Sequence, residues 1–171
     1  MNSLALDASE YHSYYKPYIA ALGDVDLLVN LKEGLQSFLK FIETIPEDKL
    51  SYSYEDGKWS VAEVIVHLID TERIFQYRAL RFARNDKTAV IGFDQDFYVP
   101  NSKANLRTKK SIALEYKSVR EASITLFESF DEENLKNLGT ASGSNMSVRA
   151  LDFVICGHLE HHKNSIKERY L

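Results

Sequence analysis

The sequence predicts an all-α protein, a four-helix bundle with extra short helices. Four long segments repeat apolar residues at steps of three and four, which is the spacing of one helix face. Strand-like alternation is almost absent, and no repeat or low-complexity linker divides the chain. A chain of 171 residues with 44% apolar residues is long enough to bury one core. We therefore expect residues 1–171 to fold as a single helical domain.

A tyrosine-rich segment, Glu10 to Leu22, precedes the first long helix. Its aromatic residues recur at helical spacing on both sides of Pro17. Such stripes more often serve packing than cofactor binding, and we interpret this one as packing. Asp24 then offers an N-cap for a helix predicted from Val25 to Ile45. Pro46 ends that helix, because proline disfavours a helical conformation in the residue before it.

The second long helix is predicted from Val61 to about Arg84. Ser60 and Glu63 form a capping box at its start, in which each side chain accepts a hydrogen bond from the backbone of the other. One face of the helix mixes polar and apolar residues: Ser60, Glu63, Val64, His67, Thr71, Ile74 and Arg78. A purely structural helix rarely aligns Glu, His, Thr and Arg, so we interpret this face as the wall of a polar pocket. Asp70, near its edge, either orients a ligand or forms an ion pair.

A long connection, Asn85 to Thr108, follows the second helix. Connections of this length are usually functional or mobile, and we expect this one to close over the site. The third long helix is predicted for Lys109 to Phe130, with core candidates Ile112, Leu114, Tyr116, Val119, Ala122, Ile124, Leu126 and Phe127. Asp131 can then cap a short helix that runs through Leu138, and Gly139 to Asn145 is predicted to be a loop of small residues.

The last helix, Ser147 to Glu168, carries two histidines on its apolar face. His158 and His162 continue the stripe of Leu151, Val154, Ile155 and Ile166, so they face the bundle interior. One turn apart, their imidazoles can reach a single metal ion. A third ligand must come from elsewhere, and His67, in the middle of the second helix, is the obvious partner.

Other candidate ligands in the last helix have the wrong phase. Glu160 and Cys156 each lie about 200° around the axis from His158, so neither can join the same ion. His161 is only about 60° away and could border a pocket. The pattern is not the His-Glu-x-x-His motif of metalloproteases, because Glu160 does not lie where a general base would be needed.

Three neutral imidazoles from two helices leave coordination positions open for water or substrate. Zinc, nickel and ferrous iron all accept such ligands, and the ion could activate a water or hold a thiolate. Two alternatives stay open. The ion could serve a non-catalytic metal-binding or stress-response bundle, or the histidines could bind no metal and be satisfied by Glu63, Asp70 or backbone groups.

Charge and composition exclude several other classes. The net charge of −4 is not typical of a protein that binds nucleic acid through a basic surface. One cysteine excludes an internal disulfide, and Met1 to Asp7 lacks the features of a signal peptide. No segment approaches the 18 uninterrupted apolar residues of a membrane span. We expect a cytoplasmic protein that acts without nucleic acid or membrane.

Three stretches resemble the DinB/YfiT-like metalloenzyme family: Gly57-Lys58-Trp59-Ser60-Val61-Ala62-Glu63-Val64, His67-Leu68-Ile69-Asp70-Thr71-Glu72-Arg73, and Ser147-Val148-Arg149-Ala150-Leu151 continued by Gly157-His158-Leu159-Glu160-His161-His162. This family includes thiol-dependent transferases, the metal-binding part of mycothiol-dependent maleylpyruvate isomerases, and proteins described as metal-dependent hydrolases. The resemblance implies a four-helix bundle, often dimeric. It also implies a divalent metal ion held by His67, His158 and His162.

We therefore expect a metal-dependent enzyme that transfers a small thiol to, or hydrolyses, a small electrophilic substrate, with a low-molecular-weight thiol as a candidate cofactor. Substrate binding or support of the ligands is expected from Glu63, Asp70, Arg78 and His161. Arg78 and Arg73, near the polar face, are expected to bind an anionic substrate or a cofactor carboxylate. Weaker candidates at the same site are Tyr77, Gln95 and Asp96. The tyrosine-rich segment and the outer face of the third helix could bury a homodimer interface.

Overall fold

The structure, a computed structural model, describes residues 1–171 and is dominated by four long helices. Short 3-10 turns precede the helices and occur in two of the connections. The elements in chain order are α1 (Lys16–Ala20), α2 (Leu27–Thr44), α3 (Val61–Ala83), α4 (Gln95–Asn101), α5 (Lys109–Glu128), α6 (Glu132–Lys136), β1 (Leu138–Ala141), β2 (Ser144–Ser147) and α7 (Val148–Arg169). The helical architecture confirms the predicted fold class.

The four long helices form a bundle in which α3 packs against α5 and α7. Helix α2 packs against the same two helices, so α2 and α3, which follow one another in the chain, lie diagonally across the bundle. Helices α3 and α7 are therefore neighbours over much of their length. Their facing surfaces bring His67 to the histidines of α7.

Side-chain caps fix where the long helices begin. In the predicted capping box, Ser60 Oγ accepts from the Glu63 N–H at 3.2 Å and Glu63 Oε2 accepts from the Ser60 N–H at 2.8 Å. Ser147 caps α7 as predicted, because its hydroxyl accepts from the Ala150 N–H. The first long helix starts two residues later than expected, since Asp26 rather than Asp24 provides the cap.

The predicted loop from Gly139 to Asn145 is instead most of an antiparallel hairpin. Leu138, expected to end a short helix, begins strand β1, and α6 ends at Lys136. The turn residues Ser142 and Gly143 both have positive φ, 52° and 79°. That pair of values is typical of a type I′ turn, whose twist matches two paired strands. Val90 from the long connection pairs with Ala141 at the edge of the hairpin.

The buried face of α5 differs from the predicted stripe. Leu114 is 64% exposed and Ala122 is exposed, whereas Arg120 and Ser123 are fully buried. The helical period was correct, but polar residues occupy part of the inward face, so apolar character alone misplaced it. Arg120 and Ser123 are buried but belong to neither of the two apolar clusters of the core, one containing Phe38 and the other Phe153.

This polar layer is organised around Arg120. Its Nε and Nη2 donate to the two carboxylate oxygens of Glu72 at 2.7 and 2.9 Å, and Ser123 Oγ donates to Glu72 Oε1 at 2.6 Å. Asp152 of α7 is also fully buried, but neither of its carboxylate oxygens has a hydrogen-bond partner. Burial raises the pKa of Asp152 well above its usual range, despite the opposing effect of Arg120.

The long connection between α3 and α5 is not a bare loop, because it contains α4 and a 3-10 turn over Ala104–Leu106. Helix α4 packs along α3. The short helix α1 lies across α7 near the histidines. None of the helices is both long enough and apolar enough to span a bilayer.

Candidate metal centre

The three predicted histidines meet between α3 and α7. The Nε2 atom of His158 lies 3.2 Å from Nε2 of His67 and 3.0 Å from Nε2 of His162. Ligand atoms of all three rings lie within 4.8 Å of one another. His67 is buried, whereas His158 and His162 are partly buried. The helical phase and the resemblance had selected the same three residues, and the structure brings them together.

The spacing of these nitrogens suits a metal ion. Two nitrogens bound at about 2.0–2.1 Å with tetrahedral angles would lie about 3.3 Å apart, close to the two observed separations. Three Nε2 atoms also face one another, and each neutral ring has only one N–H to donate. Without an ion, only a ring that carries its proton on Nε2 can donate to its neighbours. The Nε2 lone pairs of the other rings would compete for that donor. The donor set thus fits a divalent ion that accepts imidazole ligands.

Burial keeps these imidazoles neutral, which is the form that binds a metal. It lowers the pKa of His67 to about 4 and, with the neighbouring histidines, lowers the pKa of His162 to about 3. The pKa of His158 is lowered well below its usual value by burial and then by His162, His67 and His161. At neutral pH all three rings offer lone pairs.

Neighbouring side chains hold the rings in place. Thr71, one turn after His67 and buried, has its hydroxyl 3.4 Å from His67 Nδ1. The hydroxyl can accept a hydrogen bond from a protonated Nδ1, the tautomer that leaves Nε2 free to bind a metal. Trp59 packs on the His67 ring with centroids 4.9 Å apart. Tyr18 packs edge-on against His158, with centroids 5.6 Å apart.

The close approach of Tyr18 depends on Gly157. A Cβ atom at position 157 would lie 2.3 Å from the Tyr18 carbonyl oxygen, far inside van der Waals contact. Only glycine therefore lets α1 lie this close to α7, and α1 covers one side of the histidine cluster. The sequence pattern predicted only a packing role for Tyr18. The structure shows that it packs against His158 and so belongs to the surroundings of the histidine cluster.

A cavity of about 320 Å³ lies beside the cluster. His162 and Trp59 line it, together with Lys58 from the loop before α3 and Asp96 from α4. The remaining lining residues are Tyr54, Gly57, Val64, Ser165 and Tyr170. Asp96, a weaker candidate from the sequence, thus reaches the site because α4 folds back along α3. A small molecule in this cavity would contact a histidine of the cluster.

Three further predicted residues lie near the cluster with other contacts. Glu63 is engaged in the capping box, with its Oε2 on the Ser60 N–H. Asp70 pairs loosely with Arg73 at 3.8 Å, and burial raises its pKa. His161 is exposed, and its ring packs against Tyr18 and His162. None of these side chains hydrogen-bonds to the three clustered histidines.

Arg78 does not join the cluster. It lies eleven residues after His67 on the same helix, which corresponds to about 16 Å along the axis. Its Nη2 donates to Ser142 Oγ at 3.0 Å, at the turn of the hairpin. The helical face was identified correctly, but a face of this length passes from one end of the bundle towards the other. Its position therefore does not support the expectation that Arg78 binds a substrate beside the histidines.

The chain is similar to proteins of a known family. Residues 30–166 match the family model described as the DinB superfamily. A protein from Oceanobacillus iheyensis, provisionally named a metal-dependent hydrolase, is 25% identical over 148 residues, or 79% of this chain and 84% of the relative.

Two solved structures share the fold. YfiT from Bacillus subtilis, described as a probable metal-dependent hydrolase with an unusual four-helix bundle topology, gives a TM-score of 0.75 at 16% identity, covering 83% of this chain and 82% of YfiT. The mycothiol-dependent maleylpyruvate isomerase gives a TM-score of 0.67 at 10% identity, covering 82% of this chain and 60% of the isomerase. At these identities the likeness establishes the fold alone.

Proposed function

The chain belongs to the DinB superfamily, and on that premise we propose that it is a metal-dependent hydrolase of a small electrophilic substrate such as an ester or amide. His67, His158 and His162 hold a divalent ion, with zinc, nickel and ferrous iron as the candidates. The observation that carries the proposal is the convergence of three neutral ring nitrogens beside an open cavity. A closed structural site would offer no such space for a substrate.

When bound, a divalent ion in this setting supplies Lewis-acid chemistry and lowers the pKa of a coordinated water towards neutrality. The protein's own residues do the rest. Trp59 and Thr71 fix the His67 ring, and the aromatic wall of Tyr54, Trp59 and Tyr170 limits water around a small substrate. We assign Asp96 the role of proton acceptor, because this acidic residue lines the same cavity as His162.

Thiol transfer is the second candidate. The maleylpyruvate isomerase shares the fold and is described as dependent on mycothiol, a small thiol. The same three imidazoles would hold an ion able to stabilise a thiolate. In this case a low-molecular-weight thiol would occupy the cavity beside His162, and the electrophile would lie against the aromatic wall.

The proposal can be tested by turnover of metal-loaded protein. We expect untagged protein loaded in turn with zinc, nickel and ferrous iron to hydrolyse 4-nitrophenyl acetate or a small anilide. His67→Ala should lose both ion and turnover. Asp96→Asn should keep the ion but lose roughly a hundredfold in kcat, the usual contribution of a positioned proton acceptor. Lys117→Ala, an exposed change on α5, is the control that should alter neither.

Two other outcomes would assign a different role. Transfer of a small thiol to a chloronitroarene, without ester or amide hydrolysis, would favour the second candidate. A tightly held ion whose removal by chelator leaves all these reactions unchanged would contradict both candidates and favour a non-catalytic metal-binding bundle.

A further inference from the structure

Two arginines are almost completely buried in this protein, and only one of them has a carboxylate partner. Arg120 is 0% exposed and forms a bidentate pair with Glu72. Arg78 is 2% exposed and pairs with no carboxylate; Ser142 Oγ is its hydrogen-bond acceptor. Its Nε is buried without any partner. An uncompensated buried cation is costly, so the contrast requires an explanation.

The groups around Arg78 do not neutralise it. Its guanidinium carbon lies 5.6 Å from the centre of the Phe75 ring, which supplies a modest cation–π attraction. The Tyr15 hydroxyl is close enough to interact with it but is neutral at physiological pH. If packing were the only role of this side chain, an apolar residue of the same length at this position would make the protein more stable.

A cavity of about 240 Å³ lies against Tyr15 and Ser142, two of the residues around Arg78. Its lining consists of His12, Tyr14, Tyr15, Ala141, Ser142 and Ser144, with four hydroxyl groups, one imidazole and no acidic side chain. His12 Nδ1 accepts from the Tyr14 N–H at 3.2 Å, so the neutral imidazole carries its proton on Nε2 as a further donor. The lining is therefore rich in hydrogen-bond donors and lies next to an unpaired positive charge.

Ser142, at the turn of the hairpin, connects this cavity to Arg78. Ser142 adopts a left-handed conformation, with φ of 52°, at the turn between β1 and β2. Ser142 lines the cavity, and its hydroxyl lies 3.0 Å from Arg78 Nη2. A ligand that takes over the place of the Ser142 hydroxyl would reach the guanidinium directly.

We propose that Arg78, Ser142 and the adjoining cavity form a binding site for a small oxyanion, either a phosphate or the carboxylate of a small metabolite. The evidence is the buried, unpaired guanidinium beside a cavity without acidic groups. The oxyanion would supply the missing negative charge and accept hydrogen bonds from Arg78 and the hydroxyls. This site is separate from the histidine cluster and does not depend on the function proposed for it.

Thermal unfolding with added anions tests the proposal. We would titrate inorganic phosphate, acetate and benzoate against the full chain at constant ionic strength. Wild type should show a saturable rise in Tm with at least one of them, because an anion that binds only the folded state stabilises it. Arg78→Met should raise the half-saturating concentration by at least about tenfold, the loss expected for a charged hydrogen-bonded contact. The anion that gives the larger effect identifies the oxyanion class.

Controls separate this site from general salt effects and from the metal site. Phosphate also stabilises proteins by exclusion from their surface, but that effect does not saturate and would be equal in Arg78→Met. Arg73→Met removes an exposed arginine of the same helix and should keep the full response. His158→Ala should also keep the anion response if the anion binds at Arg78. An anion that bound at the histidine cluster would instead lose its site in this variant.

A second substitution remains informative if Arg78→Met does not fold. Ser142→Asp places a carboxylate where the hydroxyl contacts Arg78, and aspartate tolerates the left-handed conformation well. It should raise Tm in the absence of anion and abolish the anion response. The proposal is overturned if no anion gives a saturable shift, if Arg78→Met responds like wild type, or if His158→Ala loses the response.

Discussion

The hydroxyl of Thr71 lies 3.4 Å from the Nδ1 atom of His67. When His67 Nδ1 carries the proton, this hydroxyl can accept it in a hydrogen bond, and the Nε2 lone pair is free to bind a metal ion. We expect Thr71→Val, which keeps the shape but removes the hydroxyl, to weaken metal binding by about 10–100-fold, as is typical of lost partners of ligating histidines. Competition with a chromogenic chelator would measure this. Thr125→Val, on the exposed side of α5, should leave the affinity unchanged.

The buried carboxyl of Asp152 predicts a pH-dependent stability. Arg120 is already bound by both oxygens of Glu72, so a second carboxylate in the same layer is not neutralised. Because burial raises its pKa in the folded state, Asp152 must take up a proton on folding at any pH between its ordinary pKa and its folded pKa. Stability from this group is therefore highest in acid and is lost as pH rises towards the folded pKa.

Asp152→Asn removes this dependence, since asparagine resembles the protonated acid. Relative to wild type, the variant should gain about 1.4 kcal/mol in unfolding free energy for each pH unit above the unfolded pKa, until the folded pKa is reached. Chemical denaturation between pH 4 and pH 8 would measure the gain. A difference between the two proteins that does not change with pH would show that Asp152 ionises in the folded state.

At the scale of single residues, the sequence predicted the histidine cluster because helical phase alone brings His158 and His162 together. His67 could be added from its mid-helix position. The packing of Tyr18 and Trp59 on these rings was not predictable, because it depends on how α1 and the loop before α3 fold back onto the bundle. Arg78 was placed on the correct face, but only the hairpin shows what it contacts.

At the scale of the elements, the contact between α1 and α7 depends on a single residue, Gly157. Gly157→Ala would place a methyl group 2.3 Å from the Tyr18 carbonyl oxygen, so α1 must shift. Overpacking of this kind costs about 1–3 kcal/mol, which lowers Tm by about 2–12 °C in a chain of this size. Asn164→Ala, an exposed change on the same helix, should shift Tm little. An unchanged Tm in Gly157→Ala would mean that α1 does not pack as described.

The long helices were predictable from their apolar period and caps, whereas the hairpin was not. Its strands have four residues each, too short to show an alternating pattern. The left-handed conformation of Ser142 is also uncommon for a residue other than glycine, so only Gly143 hinted at the turn. The buried face of α5 was misplaced for a related reason, because the partner that makes Arg120 acceptable inside the bundle lies on α3.

At the scale of the whole molecule, a homodimer remains a prediction. Leu114 is 64% exposed on the outer face of α5 and Tyr14 is 60% exposed in the first segment, the two regions expected to form an interface. Light scattering should give twice the chain mass of 19.6 kDa for the wild type. Leu114→Glu should shift it to the single-chain mass. A wild type that remains at the single-chain mass at high concentration would contradict the prediction.

The most direct measurement of the metal centre is the metal content of untagged protein by plasma mass spectrometry. We expect about one zinc, nickel or iron ion per chain in the wild type, since three neutral imidazoles converge on one point. His158→Ala should lose the ion, and His12→Ala, which removes a histidine outside the cluster, should keep it. A wild type that is empty and binds none of these ions on titration would contradict a metal centre at His67, His158 and His162.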